Sequence, residues 1–200
     1  MSSGLTPAGK VAEQRAQAEA KAKQDRIDAP FRDRYVINQN GTVYDKKTNL
    51  TWMVCSLGLI WNGRTCTGRA STYDWPSARD AAASTNYAGK SDWRVPTIEE
   101  LHSLVYCSSG HQSELRMINR GIVKVVDKEL RGHCKGNYQK PTIFTAVFPH
   151  TGHLFYMSAS PSPVSSHHVM GVFFNHRGDH GGMVGSQGGY NRVRLVRSGQ

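Results

Sequence analysis

The chain has 200 residues, with 25 Lys and Arg against 15 Asp and Glu, a formal net charge of +10 and a hydrophobic fraction of 38%. That length suits one domain with an appendage, and no apolar run approaches the roughly 18 residues needed to span a bilayer. The positive balance raises nucleic acid as a partner, but the basic residues are scattered rather than blocked, so nucleic acid is not expected.

Met1 to Lys10 carries no apolar stretch of the signal-peptide kind. From about Pro7 to Asp28 the sequence is rich in Ala, Glu, Gln, Lys and Arg, with Val11 and Ile27 as the only large apolar side chains. Those are strong helix formers without a face to bury. The segment therefore reads as an exposed leader helix, ended by Ala29-Pro30, with docking to an assembly partner as its functional reading. The division is residues 1–30 as leader and 31–200 as the domain.

The domain opens as a meander. Tyr35-Val36-Ile37 and Thr42-Val43-Tyr44 flank an Asn40-Gly41 turn, and Leu50-Thr51-Trp52-Met53-Val54 forms a third strand. Asp74 is placed to cap a helix from Trp75 to about Thr85. Thr97-Ile98-Glu99-Glu100 after Pro96 is a capping box, with Leu101, Leu104 and Val105 on one apolar face. Met117-Ile118, Ile122-Val123 and Val125-Val126 read as short strands or one helix inside an insertion near 108–140. In the last third, His153 to Ser158 and Val169 to Asn175 are strand candidates. His176 to Gly189 reads as a Gly/His/Asp loop, and Tyr190 to Arg197 as a closing strand that could pair with the early ones. Arg192, Arg194 and Arg197 in that strand are expected to form a solvated basic face.

Four cysteines, Cys55, Cys66, Cys107 and Cys134, permit two disulfides in three connectivities. No C-x-x-C is present, which argues against a zinc ribbon or a thioredoxin-type motif. Asn62-Gly63 marks a hairpin turn between Cys55 and Cys66 that would bring them together. Cys107 and Cys134 would then close a longer loop, the alternative being four buried thiols. Disulfides would place the chain in an oxidising compartment: periplasm, cell surface, virion or secreted.

An ordered set of motifs then comes together: Asn40 to Asp45, Thr48 to Trp52, Trp61 to Gly68, Tyr73-Asp74-Trp75, Gly89 to Thr97, Tyr156 to Ser160 and Val193 to Arg197. The set resembles the C-terminal domain family of the bacterial Lcl collagen-like adhesins, from Tyr35 to Gln200. The resemblance implies an α+β, C-type-lectin-like fold related to formylglycine-generating enzymes, with two helices packed on a small twisted antiparallel sheet. It also implies that loops near the C-terminus carry ligand contacts. Formylglycine-generating relatives need late cysteines, and none follows Cys134 here. Met157 stands where relatives often show Trp.

Trp52, Trp75 and Trp93 read as core, and Asp92 and Arg94 as structural partners of the Trp93 segment. No G-x-S-x-G, H-E-x-x-H or phosphate-cradling glycine loop is present, and Ser, His and Asp show no triad alignment. His150, His153, His167, His168, His176 and His180 lack a face-defining spacing, so neither a transition metal nor calcium is supported by a motif, and no cofactor is expected. Arg177-Gly178-Asp179 is an integrin-type tripeptide of a kind common by chance. The expectation is a recognition or adhesion module, not an enzyme. It would bind a protein or glycan, with acidic character favoured, through Asn175, His176, Arg177, Asp179, His180, Tyr190 and Asn191. The alternative is a structural subunit of a pilus, phage tail or secretion assembly held by the leader helix. A metal-dependent or formylglycine-generating-type enzyme ranks last.

Overall fold

The structure, a computed structural model, describes residues 6–114, 117–119, 122–124, 131–152, 155–162, 168–174, 183–186 and 190–199. It begins with α1, Pro7–Arg34, a 28-residue helix capped by Thr6, whose hydroxyl accepts from the Gly9 N–H at 3.2 Å. At 1.5 Å per residue it is roughly 42 Å long. The expected stop at Ala29-Pro30 is not made, because the helix continues through Pro30. Proline forfeits one backbone bond there, and tertiary contacts compensate. Ile27 and Phe31 pack on the core, and Phe31 meets the Tyr106 ring edge-on at 4.7 Å. Gln24 Nε2 donates to the Tyr106 hydroxyl at 2.9 Å, and that hydroxyl donates to Asp28. Residues 7–23 of the helix carry no such contacts and are exposed almost throughout.

The main sheet runs in the order β1 (Tyr35–Ile37), β2 (Thr42–Asp45), β3 (Leu50–Met53) and β13 (Val196–Ser198), all antiparallel. The last strand thus closes against the third, as the sequence suggested. The Asn40-Gly41 turn needs glycine: Gly41 has φ +80°, and a Cβ there would sit 2.8 Å from the Trp61 ring. Side chains alternate across the sheet. Val43, Trp52 and Val196 point inward and are fully buried, with Tyr35 nearly so. Val36, Tyr44, Thr51 and Arg197 are aligned on the outer face.

The β4–β5 hairpin pairs Leu59–Trp61 with Cys66–Gly68, and Cys66, at the start of β5, forms a disulfide with Cys55. Asp74 caps α2, Trp75–Ser84, by accepting from Ser77 N–H at 2.9 Å. Ala78 and Ala82 let this helix approach closely, while Trp75 is only half-buried. Helix α3, Ile98–His102, carries both arms of the capping box between Thr97 and Glu100. The insertion is strands rather than one helix: β6 (Gln112–Glu114) pairs with β9 (Arg131–Cys134), and β7 (Met117–Asn119) with β8 (Ile122–Lys124). A second disulfide, Cys107–Cys134, ties it down. Val125-Val126 lies outside the described residues.

A second sheet contains β10 (Tyr156–Pro161), β11 (His168–Val172) and β12 (Met183–Ser186). Strand β12 corrects the expectation of an unbroken loop from His176 to Gly189. Edge pairing with β11 supplies the backbone bonds that this polar, glycine-rich stretch cannot find from a hydrophobic pattern. The apolar interior forms two clusters. One gathers the main sheet's inner face, α3, Phe144, Phe148 and Phe174. The other gathers Met53, α2, Trp93, Val95, Met157, Val193 and Leu195.

Candidate recognition surfaces

The terminal segment is where sequence and structure part most clearly. Arg192, Arg194 and Arg197 do not form a solvated face. Arg194 is fully buried: its guanidinium donates to the carbonyls of Met53, at 3.1 Å, and Val54, and to the Thr151 hydroxyl at 3.0 Å. It stacks over Phe148 at 4.9 Å from the ring centroid, and its Nε has no partner among the described residues. Burial pushes this guanidinium down from its ordinary value. Arg192 donates to the carbonyls of Ala70 and Ser71. Arg197 Nε donates to Asp92 Oδ1 at 2.8 Å. Each cation is drawn inward by backbone carbonyls or a carboxylate that loop-rich packing leaves without regular partners.

Asp92 and Arg94, expected to be structural, have different partners. Arg94 forms a two-pronged pair with Glu100, both N–O distances being 2.7 Å, and its backbone bridges to Val196. Burial tends to raise the Glu100 carboxyl, but Arg94 and the Thr97 N–H outweigh it and hold the group below its ordinary value. Sequence reasoning missed a second buried charge. Arg34, at the end of α1, grips Asp45 through Nε at 2.6 Å and through a terminal nitrogen, and it also donates to Ser103 O at 2.8 Å. Burial again tends to raise the Asp45 carboxyl, while Arg34 and the Thr48 hydroxyl prevail and hold it low. The only sequence signal was an Arg and an Asp bracketing the first two strands.

Of the proposed ligand contacts, Asn175, His176, Arg177, Asp179 and His180 lie outside the described residues, as do His153 and His167. Tyr190 and Asn191 are described, and they differ. Asn191 is buried and exchanges backbone bonds with Tyr73, its N–H donating to Tyr73 O at 3.2 Å and its carbonyl accepting at 2.9 Å. It is an anchor rather than a surface contact. Tyr190 is 82% exposed, the most exposed large apolar side chain among the described residues. Among those residues, no three His, Cys, Asp or Glu side chains group as a metal site would require.

A concavity lies on the outer face of the main sheet. It is a cleft of about 290 Å³ walled by the Tyr87–Lys90 turn and lined by Val36, Asn38, Asn40, Tyr44, Lys90 and Arg197 among others. Nothing in the motif reading singled it out, although period-two alternation in the strands places Val36 and Tyr44 on one face.

The family model of the Lcl C-terminal domain matches residues 41–197, so the chain belongs to that family. No curated protein matches the chain. No solved structure matches it either.

Proposed function

We propose that this member of the Lcl C-terminal domain family is an extracytoplasmic recognition module, not an enzyme, that binds a protein or glycan through loops near its C-terminus. The observation that carries the reading is Tyr190: an almost fully exposed aromatic ring joined directly to a buried anchor, Asn191. An aromatic on a rigid stalk is a low-entropy contact, the kind that dominates binding interfaces. The polar stretch that includes Arg177, Asp179 and His180 precedes it in the sequence. A C-type-lectin-like arrangement would suit this use of loops, and the α+β architecture with small antiparallel sheets is compatible with it. Two disulfides, and the lack of any helix long and apolar enough to cross a membrane among the described residues, are compatible with an extracytoplasmic location. The net charge of +10 would steer an acidic partner.

The test is a double variant, Arg177→Ala with Tyr190→Ala, screened beside the parent protein against immobilised glycans and acidic proteins. The expected result is affinity lower by about tenfold or more with an unchanged unfolding midpoint. Unchanged affinity for every bound probe moves recognition away from this face. One observation favours a second reading. The exposed residues 7–23 of α1 offer a docking segment for an assembly partner, and recognition and docking can coexist in one chain.

A further inference from the structure

The outer-face cleft has a chemistry separate from the C-terminal loops. Its floor is the row Val36, Tyr44, Thr51 and Arg197, one residue from each strand of the main sheet. The Arg197 side chain is only 10% exposed and is oriented by Asp92, which accepts from its Nε. No hydrogen bond from its two terminal nitrogens is found among the described residues, and the residue lines the cleft. Lys90, at the base of the walling turn, is exposed and forms no ion pair among the described residues. Two cations against one carboxylate leave the cleft with surplus positive charge.

The polar rim is also half-spent. Asn38 Nδ2 donates to the Thr42 hydroxyl at 2.9 Å, and that hydroxyl donates to Asn40 Oδ1 at 2.7 Å. Asn40 Oδ1 also accepts from the Thr42 N–H at 3.2 Å. Among the described residues, this chain of bonds leaves Asn38 Oδ1 as an open acceptor and Asn40 Nδ2 as an open donor. One acceptor beside one donor complements an amide group. Beside them, Val36 and the Tyr44 ring give an apolar platform.

We propose that this cleft binds the end of an acylamino acid. Lys90 and Arg197 would receive its carboxylate, Asn38 and Asn40 its amide, and the Val36–Tyr44 platform its side chain. That chemistry is shared by a free peptide C-terminus and by a small N-acyl amino acid. A planar guanidinium with one ammonium suits a singly charged carboxylate. A phosphate would call for more cations, and among the described residues the lining holds only Lys90 and Arg197.

The experiment titrates the isotope-labelled whole chain with four probes and follows backbone amide resonances. The probes are acetyl-Ala-Ala with a free carboxylate, the same dipeptide as its C-terminal amide, N-acetylglycine, and acetate. The free acids are expected to shift Tyr44, Thr51 and Arg197, and the amidated dipeptide to bind about tenfold more weakly. Lys90→Ala is expected to weaken the acids by a similar factor with the spectrum otherwise unchanged, because Lys90 is exposed on a turn. Tighter binding of the dipeptide assigns the site to peptide termini, and tighter binding of N-acetylglycine assigns it to small acids. Equal binding of acid and amide, or wild-type affinity in Lys90→Ala, overturns the proposal. So does reproduction of the shifts by acetate alone, which means an adventitious ion only. Tyr190→Ala should leave all these shifts intact, so failure of the loop reading and failure of this one are distinguishable.

Discussion

Arg34 and Arg194 are both largely withdrawn from solvent, and they are satisfied in opposite ways. Arg34, at the junction of α1 and β1, meets a fully buried carboxylate, Asp45. Arg194, near the other end of the chain, meets no carboxylate among the described residues, only carbonyls, hydroxyls and the faces of Phe148 and Tyr156. Both are pinned, but different things are pinned to them. Arg34 locks the last turn of the leader helix to the first hairpin and to Ser103. Arg194 holds the terminal segment, the end of β3 with the stretch after it, and Thr151 together, most of it outside regular structure. A charge can thus serve either as half of a pair or as a multi-armed donor that terminates several loops. The second use suits a loop-rich interior, where carbonyls outnumber regular donors.

The comparison is tested first by removing Arg194. Arg194→Ala takes away the donors to Met53 O, Val54 O and Thr151 Oγ1 and opens a cavity beside Phe148, at a cost of about 4 kcal/mol in unfolding free energy. Lysine should not rescue it, because one ammonium cannot reach carbonyls and hydroxyls on three sides of a planar fork. Denaturant midpoints of the two variants check this. A loss no larger than that of an exposed arginine would mean that water substitutes freely and that the multi-armed role is unimportant.

Asp45→Asn comes next. It leaves Arg34 buried without its counter-charge, at about 3 kcal/mol. The pH dependence separates this pair from Arg194. The folded carboxyl is held below its ordinary value, so its contribution is complete above the unfolded pKa of about 3.9 and is lost as pH falls through the lower folded value. The parent should therefore show an acid limb of destabilisation below about pH 4 that Asp45→Asn lacks in part. Arg194→Ala should keep that limb. An Asp45→Asn variant with the parent's full acid dependence would assign the limb to other carboxylates.

How far the sequence announced this depends on the element. Caps, turns and the cysteine hairpin were legible because their chemistry is local: Asp74, the Thr97–Glu100 box and Asn62-Gly63 each act within a few residues. The pairing of the terminal strand with β3 was legible because both carry β-branched and aromatic runs. The burial of Arg194 was written more faintly. In Val193-Arg194-Leu195-Val196 the apolar residues fall on both faces of an extended chain, Val196 sharing a side with Arg194, so neither face was free for water. The end of α1 was misread because Pro30 is a strong local breaker, whereas the contacts that override it, from Tyr106 and Phe144, come from more than 70 residues away in sequence. The candidate recognition residues were legible only in part. Asn191 looked like its neighbour Tyr190, and only the long-range exchange of bonds with Tyr73 sets it apart as an anchor.

A third arginine grades the comparison. Arg94 and Glu100 form a well-aligned fork, yet their side chains are 40% and 20% exposed, so water screens the pair and its ionic part is small. What Glu100 does besides is accept from the Thr97 N–H at 2.8 Å and so start α3. Glu100→Ala should thus cost about 1 kcal/mol, most of it from the cap rather than from the charge. Glu100→Gln, which keeps an acceptor for Thr97 and removes the charge, should recover the larger share. Thermal unfolding of the two variants in low and high salt decides between the contributions. If Gln is no better than Ala and the difference from the parent vanishes in high salt, then the ion pair and not the cap holds this corner. Burial would then not be what separates Arg94 from Arg34.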